Sequence, residues 1–273
     1  MSSNLNPAPV AQAQLESLVN PIRQWLFGLE EPLRHTLIAL LCGGHVLYEG
    51  PPGTAKTMLV KLVAQSMNCP FKRVQFTPDM MPADMIGTNI FNQEKHVFQF
   101  NPGPLFTTFL LADEINRAPA KTQSALLECM QERQVTVDGT EYPLSPVFTV
   151  FATQNPLEQE GTYPLPEAQL DRFLFKIIFP YPGRSAEVDI LHKHHTQEAG
   201  SQELTVQPVL RESDLLALRA EANRVEVQDG IIDYVADLVA QTRQHPAIAI
   251  GASPRGAILW LKAAKARAFL ENR

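Results

Sequence analysis

The stretch that most constrains the fold is Gly50-Pro51-Pro52-Gly53-Thr54-Ala55-Lys56-Thr57. It follows the apolar run "HVLYEG" (45–50) and precedes "MLVKLVA", whose apolar residues recur at helical spacing. A strand, a loop of small residues ending in lysine and threonine, and then a helix form the context of a phosphate-binding loop. Small residues let successive backbone N–H groups curl around a phosphate, and the helix N-terminus adds the positive end of its dipole. Lys56 is placed to reach the β- and γ-phosphates, and the Thr57 hydroxyl to coordinate magnesium. Where such loops usually carry their last glycine, this chain has Ala55, whose methyl group fits if φ is negative there. The plain alternative is a Gly/Pro-rich turn with an exposed lysine, which leaves the full spacing unexplained.

A phosphate loop alone also fits a kinase or a GTPase. The run "FLLADE" (109–114) narrows the choice, because an apolar strand here ends in two carboxylates, Asp113 and Glu114. Ligands of open α/β sheets sit at the strands' C-terminal ends. Asp113 is placed to hold magnesium through its water shell, and Glu114 to polarise an attacking water. The second carboxylate points to hydrolysis rather than transfer to a bound acceptor. Its alternative role is an acidic pair at the start of the next helix.

Further strand-like runs are "FKRVQF" (71–76), "FTVFAT" (148–153) and "FLFKIIF" (173–179), separated by helical or loop segments. This alternation predicts an α/β fold, a mostly parallel sheet covered on both faces. "PYPG" (180–183) breaks the pattern, and only helices are expected beyond it, over about 185–199, 211–223, 229–244 and 254–271. Ser213 is the expected cap of the second of these, and Ser253-Pro254 of the fourth. The division is therefore a core over 1–180, opened by a helical segment, and a helical domain over 181–273, where the chain ends at Arg273 inside a helical pattern. Two inserts interrupt the core. One lies within 77–106, with a hairpin over about 86–101. The other is a hairpin over 133–144 that turns at Asp138-Gly139.

A net charge of −6 and the absence of a basic stripe give no general attraction to a nucleic-acid backbone, so no general nucleic-acid binding is expected. No apolar run is long enough for a membrane span and no basic, apolar leader opens the chain, which predicts a cytoplasmic protein. Three cysteines, Cys42, Cys69 and Cys129, have no metal-ligand spacing and read as buried thiols. His192, His194 and His195 lack acidic or cysteine partners at zinc spacing and read as a solvated helix face. Met80, Met81 and Met85 read as core filler or as an adaptable binding surface.

Five segments in register, "GPPGTAKT", "FLLADEINRAP", "FATQNP", "LPEAQLDRF" and "GASPRG", resemble the MoxR family of AAA+ ATPases over nearly the whole chain. The resemblance implies a three-layer αβα P-loop core followed by a small all-helical lid that is incomplete at Arg273. It implies ATP and Mg2+ as ligands, and a homo-oligomeric, usually hexameric, ring. It also implies chaperone-like remodelling of client proteins, with von Willebrand factor A-domain proteins as partners. One hairpin inside the second core helix and another before the fourth strand belong to the same pattern. By residue, Asn155 resembles the sensor that orients the attacking water, its amide donating to γ-phosphate and accepting from water. Arg172 resembles the arginine finger that reaches a neighbour's ATP. Arg255 resembles the second sensor, which reaches from the lid to the γ-phosphate. Arg117 is a lesser interface candidate, and Leu26-Phe27-Gly28 is where the adenine-side segment begins. A nucleic-acid-associated P-loop ATPase and a non-hydrolysing nucleotide-controlled scaffold are the alternatives. Charge disfavours the first and Glu114 the second.

Overall fold

The computed structural model describes residues 9–156, 161–197 and 205–273. Two helices, α1 (Pro9–Arg23) and α2 (Glu30–Cys42), precede the first strand, β1 (His45–Glu49). Then come α3 (Lys56–Ser66), β2 (Phe71–Gln75), the short α4 (Pro82–Ile86) and the hairpin β3 (Gly87–Asn92) with β4 (Val97–Pro102). β5 (Phe109–Asp113), α5 (Ala120–Glu132), the hairpin β6 (Gln134–Val137) with β7 (Thr140–Pro143), and β8 (Thr149–Gln154) follow. The short α6 (Glu167–Leu170) leads to β9 (Phe173–Ile178), and the helices α7 (Arg184–Gln197), α8 (Glu212–Asn223), α9 (Asp229–Gln244) and α10 (Pro254–Leu270) complete the chain.

Five strands form one parallel sheet in the order β2-β5-β8-β1-β9. Side chains alternate across it as strand pleating requires. Val46 and Tyr48 of β1, Phe109 and Leu111 of β5, and Phe151 of β8 face one apolar core with α1, α2 and α3. Leu47, Leu110, Ala112, Val150 and Ala152 face a second core with α5 and the hairpin β6–β7. With both faces covered, these strands read as continuous apolar runs, and for that reason they were visible in the sequence. The helical C-terminal lid joins the first core: Leu215 and Leu218 of α8 and Ala266 and Phe269 of α10 belong to it, and α10 packs on α2.

Local differences from the sequence reading have physical causes. The second core helix is reduced to the five residues of α4, and Gly103–Thr108 after the hairpin reach β5 without a helix. Ser213 does not cap α8. Asp214, three residues after the cap position, accepts a hydrogen bond from the Arg211 N–H (2.8 Å) and satisfies one of the orphan donors instead. The predicted helix over 185–199 runs as Arg184–Gln197, and its last two predicted residues lie outside the described ones. Cys69 and Cys129 are buried thiols, whereas Cys42 is half-buried. Met85 is core, Met80 is partly buried against it, and Met81 is exposed.

Candidate functional site

Two glycines shape the loop after β1. A side chain at Gly50 would put its Cβ 2.3 Å from the Phe179 carbonyl oxygen, so only glycine lets the chain leave the sheet there. Gly53 has φ +78° and open space where a Cβ would stand. Among the described residues, the backbone N–H groups of Gly53, Thr54 and Ala55 have no backbone acceptor, which is the donor set a phosphate needs. Ala55 departs from expectation. Its φ is +62°, the left-handed conformation that glycine would adopt without a steric cost, and its methyl is carried there immediately before α3. Partial burial lowers the Lys56 ammonium pKa, and Asp113 and Glu114 oppose that shift. Its Nζ donates to the carbonyl oxygens of Gly50 (2.7 Å) and Pro51 (2.8 Å), bracing the loop from within.

The sheet order brings the other groups to this loop. β8 lies between β5 and β1, so the ends of all three strands meet at one edge. A cleft of about 420 Å³ there is lined by Pro52 to Met58, Asp113, Glu114 and Asn155, together with Arg73, Thr153 and Gln154. Gly50 and Pro51 lie behind it, as the acceptors of Lys56. Asp113 and Asn155 are buried at the cleft floor.

Apart from Arg117, the residues that hold the carboxylates carry no signal in the sequence by themselves. The Thr153 hydroxyl donates to Asp113 Oδ1 (2.5 Å) and accepts from the Glu114 backbone N–H (2.8 Å), tying both acidic residues to β8. Arg73 donates to Asp113 Oδ2 through Nε (3.0 Å) and a terminal nitrogen (2.5 Å). Glu114 has φ +55° and ψ +50°, a conformation that turns its carboxylate out of the strand. Its Oε2 accepts from Gln75 Nε2 (2.6 Å) and from Arg117 (2.9 Å), so Arg117, weighed above as an interface residue, pairs with its own chain. The signal for Arg73 and Gln75 lay in the strand period. They alternate on one face of edge strand β2, where Gln75 stands opposite Asp113 and Arg73 opposite Leu111.

A second cavity of about 270 Å³ continues past Gly53, Thr54, Ala55 and Met58 to Trp25, Phe27, Gly28 and Leu29. Pro180 and Pro182 close another side, with Ile190, Lys193 and His194 of α7. Lys193 Nζ lies 4.5 Å from the Trp25 ring centroid. Its aromatic and apolar lining suits a flat heterocycle, while the phosphate loop forms the shared wall. The three histidines of α7 are exposed, and no cluster of metal-ligating side chains occurs among the described residues.

Arg172 and Arg255 are not among the residues lining the cleft. Arg172 lies between α6 and the start of β9, and Arg255 is exposed in the first turn of α10. Ser253 caps that turn by accepting from the Gly256 N–H (2.9 Å), and its hydroxyl also donates to Asp171 (3.1 Å). This places Arg255 near Arg172 rather than beside its own phosphate loop. Electrostatics agree, because the Arg255 charge acts on His45, at the opposite end of β1 from the loop. Five strand residues separate the two ends by about 13–16 Å.

A five-stranded parallel sheet with strand order β2-β5-β8-β1-β9, a phosphate loop after β1, paired carboxylates after β5 and a helical lid define a P-loop αβα protein of the AAA class. The family model described as "ATPase family associated with various cellular activities (AAA)" matches residues 45–175, and an AAA lid domain model matches 240–273. The chain is 47% identical to "Uncharacterized protein YeaC" of Bacillus subtilis, over 95% of this chain and 80% of that protein. It is 42% identical to "Chaperone MoxR1" of Mycobacterium tuberculosis, over 95% of this chain and 70% of the relative. The crystal structure of a candidate ATPase from Cytophaga hutchinsonii superposes with a TM-score of 0.88 at 43% identity, covering 97% of this chain and 82% of that one. The chain belongs to the MoxR family of AAA+ ATPases.

Proposed function

We propose that this chain hydrolyses ATP and that it works as a subunit of a homo-oligomeric, hexameric ring. The observation that carries the reading is the convergence on one cleft of the phosphate loop, Asp113, Glu114 and Asn155. The loop N–H groups and Lys56 would bind the phosphates, and the aromatic cavity between Phe27 and Pro180 would take the adenine. Thr57 and Asp113, the latter through water, would hold magnesium, which supplies neutralisation of the charge on the β- and γ-oxygens. Glu114 takes a proton from the attacking water, and Asn155 orients that water by donating to phosphate while accepting from it.

The site is completed from outside the subunit. Arg172 and Arg255, away from their own cleft, would face the γ-phosphate of a neighbour, where a guanidinium is worth about 10³–10⁵ in rate in known finger enzymes. Asp171 and Ser253 link the turns that carry these arginines, so a neighbour's phosphate state would be felt in both the core (1–180) and the lid (181–273).

The two hairpins form the output. Phe100 of β4 stacks on Tyr142 of β7 (4.1 Å between centroids), and Asn89 donates to Asp138 at the turn of the second hairpin (2.6 Å). Beyond this junction Ile90, Phe91, Val97 and Phe98 are exposed, with Phe98 73% exposed. Such an apolar strip suits a client protein chain, and the name "Chaperone MoxR1" borne by one relative supports chaperone-like remodelling. Proteins with von Willebrand factor A-domains are the proposed partners and the cytoplasm the proposed site of action; no helix among the described residues is long and apolar enough to cross a membrane.

Two variants test the cleft. Lys56→Ala should abolish measurable ATP affinity with the fold intact. Glu114→Gln should bind ATP and hold it unhydrolysed. Normal binding by the first, or near wild-type turnover by the second, would overturn the assignment. Stimulation of turnover by DNA or RNA, and not by protein clients, would favour the nucleic-acid-associated reading instead.

A further inference from the structure

Arg73 has no assigned part in the site, yet it grips the central carboxylate. Asp113 offers two oxygens to the cleft. Oδ1 is taken by the Thr153 hydroxyl, and Oδ2 by two nitrogens of the Arg73 guanidinium. The grip follows from register: Arg73 stands opposite Leu111, two residues before Asp113, and only a side chain as long as arginine spans that offset along the strand. The Arg73 side chain is half exposed, whereas the Asp113 side chain is 13% exposed, so the arginine can leave to solvent and the aspartate cannot.

Magnesium bound with ATP would present its water shell to the same carboxylate, since Asp113 and Thr57 line the same cleft. A guanidinium at hydrogen-bond distance of Oδ2 and a hydrated divalent cation at that carboxylate repel each other and compete for the same lone pairs. Thr153 does not compete, because it uses the other oxygen and is neutral.

We propose that Arg73 is a positioning residue of the magnesium site: its ion pair with Asp113 competes with magnesium, holds the carboxylate at the cleft when magnesium is not there, and opens when magnesium-bound ATP enters. This rests on the reading of the cleft as an ATP site. It also gives β2 a part in loading. The chain continues from Gln75 through Phe76, whose N–H is bonded to the Asp113 carbonyl (2.9 Å), to the segment before the first hairpin.

The test is the equilibrium affinity of the full chain for a fluorescent ATP analogue, measured once with excess magnesium and once with EDTA, for wild type, Arg73→Gln and Arg73→Lys. Removing a half-exposed competing pair should tighten binding with magnesium about fivefold in Arg73→Gln and leave binding in EDTA within about twofold of wild type. Arg73→Lys keeps the charge without the fork and should fall between the two, which keeps the test alive should the glutamine variant not fold. An Arg73 that only supports the fold would move both affinities together, and an Arg73 that holds phosphate would weaken binding in magnesium. Either result overturns the proposal, as does no change in either affinity. Wild type that binds in neither condition would overturn the ATP reading of the cleft itself, and this proposal with it.

Discussion

Thr153→Val isolates the link between the two carboxylates, because valine keeps the shape and removes only the hydroxyl. The hydroxyl makes a charge-assisted bond to Asp113 Oδ1 (2.5 Å) and accepts the Glu114 N–H (2.8 Å). Loss of a bond to a charged group costs about 1.5–3 kcal/mol, and an N–H left without its partner at a partly buried position adds about 1 kcal/mol. Arg73 still holds the other Asp113 oxygen, so the expected loss of stability is about 3 kcal/mol rather than more. The control is on the same strand. Thr149 donates to the neutral Val147 carbonyl (2.9 Å) in the buried interior, and Thr149→Val should cost about 1 kcal/mol. Urea unfolding of both variants reads the difference, about 2 kcal/mol, directly, and ATP turnover of Thr153→Val should fall at least tenfold because Asp113 loses one of its two holds and the Glu114 backbone loses its tie to β8. Equal losses in the two variants, within about 0.5 kcal/mol, would refute the assignment of Thr153 as the carboxylate clamp.

His45 predicts a pH dependence. Burial pushes its pKa down to about 4, below its ordinary 6.5, with Nε2 bonded to the Met130 carbonyl (3.0 Å) and Nδ1 accepting the Val150 N–H (3.0 Å). The folded protein keeps the ring neutral, so its contribution is fully present above pH 6.5 and about 3 kcal/mol is lost as pH falls from 6.5 to about 4. Stability measured across that range should lose this slope in His45→Gln; an unchanged slope would contradict the account. Ala55→Gly relieves a left-handed alanine worth about 1–2 kcal/mol and costs about 0.4–1 kcal/mol in unfolded-chain entropy. Stability in urea should therefore stay level or rise by up to about 1.6 kcal/mol, and a loss of about 1 kcal/mol would contradict the strain.

The parts of the molecule visible in the sequence were those governed by short-range rules. The three central strands, β1, β5 and β8, were apolar because both sheet faces are covered there, and the phosphate loop and the Asp113-Glu114 pair needed only local spacing. Asp138-Gly139 marked its hairpin through turn chemistry, with both residues at positive φ. What was not visible depended on register or on long-range placement. Arg73, Gln75 and Thr153 matter only because β2 and β8 flank β5, and no spacing within one strand reveals which carboxylate a neighbour will reach. The left-handed conformation of Ala55 (φ +62°) runs against the preference of alanine, so the residue type itself did not announce it. The Ser253-Pro254 cap signal marked the right helix start for Arg255, but no local spacing reports that α10 packs on α2.

If each active site takes its arginine from a neighbouring copy, mixing two inactive variants restores activity. Arg172→Ala should bind ATP as well as wild type and lose two or more orders of magnitude in hydrolysis, on the scale of known fingers. Lys56→Ala should neither bind nor hydrolyse. Assembled mixtures of the two contain interfaces that pair an intact Arg172 with an intact Lys56, and they should recover part of the activity that each variant lacks. Assembled mixtures without recovery would contradict a site shared between subunits.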